Sequence, residues 1–295
     1  MLFLTPDLPM TDEEFRLLRD FVYQHCGLHF TEDSKYLLVK RLGKRVQHLR
    51  LKDFKEYYYF LRYNQGRDQE LSEVVDTLTT NETYFFREDF QLKTFVQEVV
   101  PELCRRREAG GQPKKLRIWS AGCSTGEEPY TLGMLLLEMP ELAGWQVEII
   151  GTDISQRVLQ VARKGVYGPA SFRATSADFQ RRYFTETDGK HRIADRVKNL
   201  VTISHLNLFD APRVSLLGRL DAIFCRNVII YFDLAAKKRV IDTFYQRLCP
   251  EGFLLLGHSE SLMNITNAFV LRHFAHDMVY QKPAVTIASE RGISL

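Results

Sequence analysis

No two of the five cysteines stand in a C-x-x-C spacing. Cys26, Cys104, Cys123, Cys225 and Cys249 are scattered along the chain, which leaves a zinc knuckle, a redox dithiol and an iron–sulfur cluster without their ligands. An odd, dispersed set suits reduced thiols and a cytoplasmic location. No run is long and apolar enough to span a membrane, so direct membrane insertion is not expected. The opening segment, Met1 to Met10, has no leading positive charge and carries Pro6, Asp7 and Pro9, unlike a secretory signal. Charge of one sign is also missing. The 40 Lys and Arg against 37 Asp and Glu leave a net +3, too little to suggest a nucleic-acid binder from the total. The eight histidines form no convincing group, and there is neither an internal repeat nor a low-complexity tract. What is present is an ordinary globular composition, 45% hydrophobic and 26% charged, over 295 residues. That suffices for one large domain with a smaller one.

Strand patterns are absent before about residue 115. Thr11 with Glu14 forms a capping box, and Phe15, Leu18 and Val22 follow at helical spacing toward Gly27. A second helix starts near Thr31 with the apolar stripe Leu38, Leu42, Val46 and Leu49. A basic stripe of Arg41, Lys44, Arg45 and His48 runs beside it at the same period. Asp53 with Glu56 opens a third helix, and Leu71, Val74, Val75 and Leu78 mark a fourth. Phe90 to Val99 reads as a further helix that stops near Pro101, followed by a polar Gly/Pro-bearing connector. After it the rhythm becomes strands alternating with helices, the mark of a parallel sheet covered on both faces. Tyr183 to Ile203 breaks that rhythm, and the turn Asp188-Gly189 between short β-like runs suggests a small antiparallel insertion.

The first strand runs into Ser120-Ala121-Gly122-Cys123-Ser124-Thr125-Gly126-Glu127-Glu128. A glycine turn between a buried strand and a helix lets a ligand approach the backbone. The turn is not a clean G-x-G-x-x-G, and by itself reads equally well as a tight connection. The acidic pair tilts the choice: carboxylates beside the cradle repel a pyrophosphate but suit a cation such as S-adenosylmethionine. One of the two glutamates does no more than favour the helix start. Asp153, at the end of the next strand, is placed to accept ribose hydroxyls, with an N-cap role as the plain alternative. Asn207-Leu208 and Arg226-Asn227 each follow an apolar strand, where open α/β sheets bind ligands; Asn227 could hold the methionyl ammonium or carboxylate. By pattern alone Tyr231 belongs to the core. Asn81, Thr83 and Arg87, interleaved with aromatics, form an unusual segment that an N-cap and core aromatics would also explain.

The sequence resembles the chemotaxis receptor glutamate methyltransferases of the CheR type. The likeness spans about residues 11 to 282 and rests on Asn81-x-Thr83-x-Phe85-Phe86-Arg87, Ser124-Thr125-Gly126-Glu127-Glu128-Pro129-Tyr130, Asp221 through Phe232, and Gly257-His258-Ser259-Glu260-Ser261. It implies an all-helical N-terminal domain and a Rossmann-like, class I S-adenosylmethionine-dependent methyltransferase domain of α/β class with a small antiparallel β insertion. The corresponding boundaries are a helical receptor-docking domain over 1–86, a linker helix and connector over 87–115, a methyltransferase domain over 116–285 with its insertion at about 183–203, and a tail over 286–295. The resemblance further implies cofactor contacts at Asn81, Thr83, Arg87, Glu128, Asp153, Asn207, Leu208, Arg226 and Asn227, with Arg87 and Tyr231 lining the reaction site. It makes the stripe of Arg41, Lys44, Arg45 and His48 a dock for glutamate-rich receptor helices rather than a solvated face. No metal is implied. The hairpin is short, with Gly189 its only glycine, unlike relatives that tether a receptor's C-terminal pentapeptide; tethering is therefore not expected, and the chain resembles a free-standing, monomeric member.

Methylating a glutamate needs no general base, because a carboxylate with a pKa of about 4.3 is already ionised at neutral pH. Three other readings share some of these features. A nucleic-acid methyltransferase usually carries an Asn/Asp-Pro-Pro-aromatic motif that stacks a flipped base; Arg226-Asn227-Val228-Ile229 stands here instead. A cofactor-sensing adaptor would bind without turnover. An NAD dehydrogenase is disfavoured by the acidic pair.

Overall fold

The computed structural model describes residues 8–284; the first seven residues of the opening segment and the expected tail lie outside that range. The helical part comprises α1 (Asp12–Cys26), α2 (Lys35–His48), α3 (Phe54–Tyr63) and α4 (Arg67–Leu78). The capping box forms in full: Glu14 N–H donates to Thr11 Oγ1 at 3.2 Å and the Thr11 N–H donates to Glu14 Oε2 at 2.7 Å. Gly27 ends α1 in the left-handed conformation. The expected apolar stripes point inward: Phe15, Leu18, Leu38, Leu42, Val46 and Val74 are fully buried.

The next helix does not stop at Pro101. α5 (Asp89–Thr94) passes through a π-turn over Phe95–Val99 into α6 (Val100–Ala109). Val100 N–H reaches back to Phe95 O, one residue further than in an α-helix. Pro101 then sits in the first turn of α6, where its missing N–H and fixed φ are tolerated.

The remaining elements are β1 (Lys115–Ala121), α7 (Glu127–Leu137), β2 (Gln146–Asp153), α8 (Gln156–Lys164), β3 (Val166–Tyr167), α9 (Ala177–Tyr183), β4 (Phe184–Thr187), β5 (Lys190–Ile193), α10 (Asp195–Lys198), β6 (Val201–His205), α11 (Ala211–Ser215), β7 (Leu220–Cys225), α12 (Leu234–Arg247), β8 (Leu248–Leu256), β9 (Val270–His273) and β10 (Met278–Gln281). The large sheet runs β6-β2-β1-β7-β8-β10-β9. Its first five strands are parallel, and β10 and β9 close one side antiparallel. Neighbouring residues alternate between two buried faces. Ile118, Ile149 and Phe224 pack with α5, α6 and α7, whereas Trp119, Ile150 and Ile223 join a core that continues into the helical part. Burial on both faces explains the short apolar runs Ile118–Trp119, Ile149–Ile150, Ala222–Cys225 and Phe253–Leu256, which show no polar alternation.

The insertion differs in extent from the pattern. The small sheet has the order β3-β5-β4 and so recruits a strand upstream of Tyr183. Val201 to Ile203 belongs to β6 and pairs with Ile149 to Gly151 in the large sheet. A two-residue strand leaves no alternation to read, and β6 follows the hairpin too closely for composition to separate them.

Candidate active site

The carboxyl ends of the parallel strands open beneath the helical layer into a cleft. Asn81, Thr83, Arg87, Glu128, Asp153, Asn207, Leu208, Arg226, Asn227 and Tyr231 all line it. The crossover connections reverse direction at β1, with β2 on one side and β7 on the other, which is where such sheets leave room for a ligand.

β1 hands the chain to a turn through Gly122, Ser124 and Gly126, all at positive φ. A Cβ at Gly122 would stand 2.4 Å from Val228 Cγ2, so only glycine fits there. The turn delivers the two glutamates of α7 in opposite directions. Glu127 is buried and accepts from Thr125 Oγ1 (2.6 Å) and Ser171 Oγ (3.0 Å). Glu128 lines the cleft, accepts from Ser120 Oγ at 2.7 Å and lies 3.4 Å from Arg226 Nη1. Asp153, at the end of β2, accepts from the backbone N–H of Ser124 (2.8 Å) and of Ser155 (2.9 Å). It therefore pins the glycine turn as well as facing the cleft, while the N-cap of α8 falls to Ser155.

Arg226, its side chain only 3% exposed, lies between two carboxylates. Its guanidinium donates to Glu88 Oε2 at 3.1 and 3.2 Å and to the Arg87 carbonyl at 2.5 Å, with Glu128 opposite. Glu88 also lies 3.9 Å from Arg87 Nε, so two guanidiniums balance Glu88 and Glu128, and Asp153 leaves this wall of the cleft one negative charge in excess, which a cationic ligand would balance. Asn227, held at φ 60°, has a buried Oδ1 with no hydrogen-bond partner. An orphaned acceptor and an excess negative charge on one wall suit a ligand bearing an ammonium and a sulfonium, and suit a pyrophosphate poorly. The side chain of Asn207 is already spent: Nδ2 donates to His25 O (2.7 Å) and Oδ1 accepts from Phe209 N–H (2.9 Å). Its amide ties the cleft floor to the end of α1.

The segment Asn81 to Glu88 carries two non-glycine residues in the left-handed region, Phe86 and Glu88, each at φ 59°. Conformations of this kind cost about 1–3 kcal/mol and persist only where neighbours impose them. Here Phe85 is fully buried among Tyr167, Phe172 and Phe184 of the small-sheet region, its N–H donates to Ser171 O (2.9 Å), and Phe86 N–H reaches Thr131 Oγ1 (3.2 Å). These anchors bracket Arg87 at the cleft. Tyr231 is 37% exposed, which corrects the core assignment by pattern. The cause is the 3-10 turn Ile229–Tyr231, which buries Ile229 and turns Tyr231 to the rim.

The basic stripe is divided. Arg45 grips buried Glu70 through Nε (3.0 Å) and Nη2 (2.6 Å), and Arg41 Nη1 donates to the Leu78 carbonyl (2.7 Å). Of the four, Lys44 and His48 are exposed, whereas Arg41 and Arg45 are half-buried. An equal helical period cannot distinguish a solvent-facing arginine from one that reaches sideways to a neighbouring helix. Sequence reasoning also missed Glu88 and Ser124, which hold Arg226 and Asp153. Glu88 adjoins the quoted Asn81 to Arg87 motif, and Ser124 lies inside the glycine turn.

Burial pushes the Asp153 carboxyl above the ordinary value, against the pull of the backbone N–H groups. Burial does the same for Glu128, against the opposing pull of Arg226 and Ser120. Both should thus take up protons at a higher pH than ordinary carboxylates, and attraction for a cation, present above the raised pKa, is lost as pH falls through it. Calorimetry should show affinity for S-adenosylmethionine falling as pH is lowered from about 7 to about 4, with the fall beginning above the ordinary carboxylate range. Constant affinity over that range would exclude these carboxylates as its electrostatic partners.

Comparison with known proteins agrees with this geometry. Residues 81–277 match the CheR methyltransferase, SAM binding domain, and residues 13–79 match the CheR methyltransferase, all-alpha domain. The chain is 37% identical over 279 residues to chemotaxis protein methyltransferase 2 of Vibrio cholerae, covering 94% of this chain and 95% of that one. It is 34% identical to the chemotaxis protein methyltransferase of Salmonella typhimurium, with 92% of each covered, and 34% identical to that of Borreliella burgdorferi, with 88% and 92% covered. A helical layer, a sheet whose glycine turn ends in a cation-seeking cleft, and matches over nearly the whole length lead to one assignment: the chain belongs to the CheR family of S-adenosylmethionine-dependent chemotaxis methyltransferases.

Proposed function

We propose that this enzyme esterifies side-chain carboxylates of glutamates on the methylation helices of chemoreceptors, in the cytoplasm, as a monomer and without a metal. The observation that carries the reading is the convergence of Arg87 and Tyr231 on the cleft that also holds Glu128, Asp153 and Asn227. When bound, S-adenosylmethionine supplies an electrophilic methyl group. Glu128 and Asn227 would receive its methionyl end and Asp153 its ribose, with Asn81, Thr83, Leu208 and Arg226 completing the wall and Asn207 supporting it. Arg87 presents paired N–H donors that orient an incoming carboxylate, and Tyr231 adds one hydroxyl donor. No base is needed, since the acceptor is already ionised. The two thiols on the wall are poor nucleophiles: burial pushes Cys26 up to about 12 and Cys123 well above its ordinary value. Incubation with receptor signalling domains and methyl-labelled cofactor tests the reading. Alkali should release labelled methanol from the receptor and none from RNA; label that resists alkali would refute ester formation.

Docking of the receptor is assigned to the exposed members of the basic stripe, Lys44 and His48, with Arg41 and Arg45 shaping the helix behind them. Lys44→Glu with His48→Glu should raise the receptor KM about three- to tenfold at low salt, with less effect as salt rises and none on cofactor affinity. Arg45→Glu would instead set a second carboxylate against Glu70 and report on stability. Indifference of KM to the double change at low salt would return the stripe to a solvated face.

Recognition at the methylation helices should need no C-terminal tether. The edge strand β4 offers only Phe184–Thr187 before the tight turn of Asp188 and Gly189, both at positive φ, which is little backbone for an added peptide strand. Titration with receptor C-terminal pentapeptides should give no heat, and receptors truncated there should be methylated normally. Micromolar binding with loss of methylation on truncation would move the principal dock to the small sheet.

A further inference from the structure

The motif Gly257-His258-Ser259-Glu260-Ser261 follows β8 and contributes no atom to the cleft wall. Its glutamate nevertheless reaches the loop that follows β7. Glu260 Oε2 accepts the backbone N–H of Asn227 (2.7 Å) and of Gly257 (2.8 Å), and Oε1 accepts those of Val228 (2.9 Å) and Ile230 (3.2 Å). Four main-chain donors converge on one carboxylate, an arrangement that in proteins normally awaits an anionic ligand. Here the chain supplies the anion itself.

The loop held in this way has a conformation it would not choose. Asn227 sits at φ 60°, and the next residues turn at once into the 3-10 helix Ile229–Tyr231. The left-handed backbone aims the Asn227 side chain at the cleft, where its buried Oδ1 has no partner, and the 3-10 turn delivers Tyr231 to the rim. Gly257 has to be glycine for the clamp to close, because a Cβ there would stand 2.9 Å from both Asn227 N and Glu260 Oε2.

We propose that Glu260 is the positioning residue of the reaction site: its carboxylate sets the backbone of residues 227–230 so that Asn227 meets the cofactor and Tyr231 meets the acceptor carboxylate. The proposal rests on the functional reading above for the roles of those two residues. It treats Glu260 as acting through them, without touching either reactant. A carboxylate is required because both oxygens must accept. The amide of glutamine has one acceptor oxygen, and its NH2 would face two of the four N–H groups.

Glu260→Gln in the full chain should therefore weaken the calorimetric Kd for S-adenosylhomocysteine roughly tenfold, the scale of one or two buried N–H groups left without partners. It should lower kcat about 100-fold, the scale of a small misplacement of reacting groups, and leave the receptor KM within about twofold. Amide hydrogen exchange at Asn227, Val228, Ile230 and Gly257 should quicken while the amides of β1 and β2 stay protected. Glu260→Asp keeps both acceptor oxygens and should recover part of the cofactor affinity and of the slow exchange; it also stands in if the glutamine variant does not fold. A glutamate that only stabilises the fold would lower Tm in both variants while Kd and kcat of the folded protein remained at wild-type values, and that result would overturn the proposal. Because the Kd and exchange measurements use no methyl acceptor, they remain decisive even if the acceptor is not a receptor glutamate.

Discussion

Replacing Arg226 by leucine should cost the folded protein about 3–5 kcal/mol, the range for removing one partner from a buried ion pair. The guanidinium is almost wholly enclosed and serves Glu88, Glu128 and the Arg87 carbonyl together. Without it, two largely buried carboxylates, 12% and 16% exposed, face an apolar side chain, and the nearest remaining cation is Arg87, whose Nε lies 3.9 Å from Glu88. Their charge cannot return to water, so they take up protons or the cleft opens. Against a total stability of about 5–15 kcal/mol the loss is large. Adding Glu88→Leu to Arg226→Leu should recover more than half of it, because a vacated ion pair replaced by apolar groups on both sides is often close to neutral. Urea denaturation of the two variants makes the comparison. A loss under about 1 kcal/mol for Arg226→Leu would show that water reaches the cluster and that the pair behaves as an exposed one.

Arg87→Ala should lower kcat on a receptor substrate by about 100-fold, and Tyr231→Phe by about tenfold. The difference follows from what each can offer a carboxylate: a charged guanidinium with paired donors against one neutral hydroxyl. Neither change should disturb folding by more than about 1 kcal/mol. Arg87 is 30% exposed, its Nη1 donates to the Glu82 carbonyl at 3.2 Å, and its guanidinium lies 5.7 Å from the Tyr84 ring, which also carries Arg173 at 3.8 Å. Arg87→Lys keeps the charge and loses the fork, so its rate should fall between the wild type and alanine. Wild-type turnover in folded Arg87→Ala and Tyr231→Phe would remove both from the reaction.

The sequence carried the fold well wherever one physical signal acted alone. The capping box of α1, the Asp53 cap of α3 and the short apolar runs within β1, β2 and β7 are local, and each element formed where its residues said. The reading failed where a distant or shifted hydrogen bond decided. Pro101 looked like a stop because the register change of the preceding π-turn leaves no trace in side-chain spacing. Arg41 and Arg45 looked like a docking face because Glu70 and the Leu78 carbonyl lie on another helix. The residues around the cleft were legible from strand ends, from the glycine turn and above all from family motifs. The partners that hold them were not. Glu88 and Glu260 act across 138 and 33 residues of sequence, on Arg226 and Asn227 respectively, and no periodicity encodes such a pairing.

The seam between the helical layer and the sheet has a consequence for anyone recombining these enzymes. One apolar core extends from Phe15 and Leu42 through Leu28 and Phe232 to Trp119 and Phe244. His29 N–H donates to the Tyr231 carbonyl at 3.0 Å, Tyr23 Oη to Asp233, and Gly27 lies so close to the Phe209 ring that a Cβ would stand 2.1 Å from it. The layer is thus a structural wall of the cleft, and the backbone of Tyr231 depends on it. A chimera that borrows the helical layer of a relative to change receptor preference would have to import the partners of Gly27, Leu28 and His29 along with it. Swapped without them, the new layer would leave Phe209 and Phe232 in water, and the hybrid would precipitate before its specificity could be assayed.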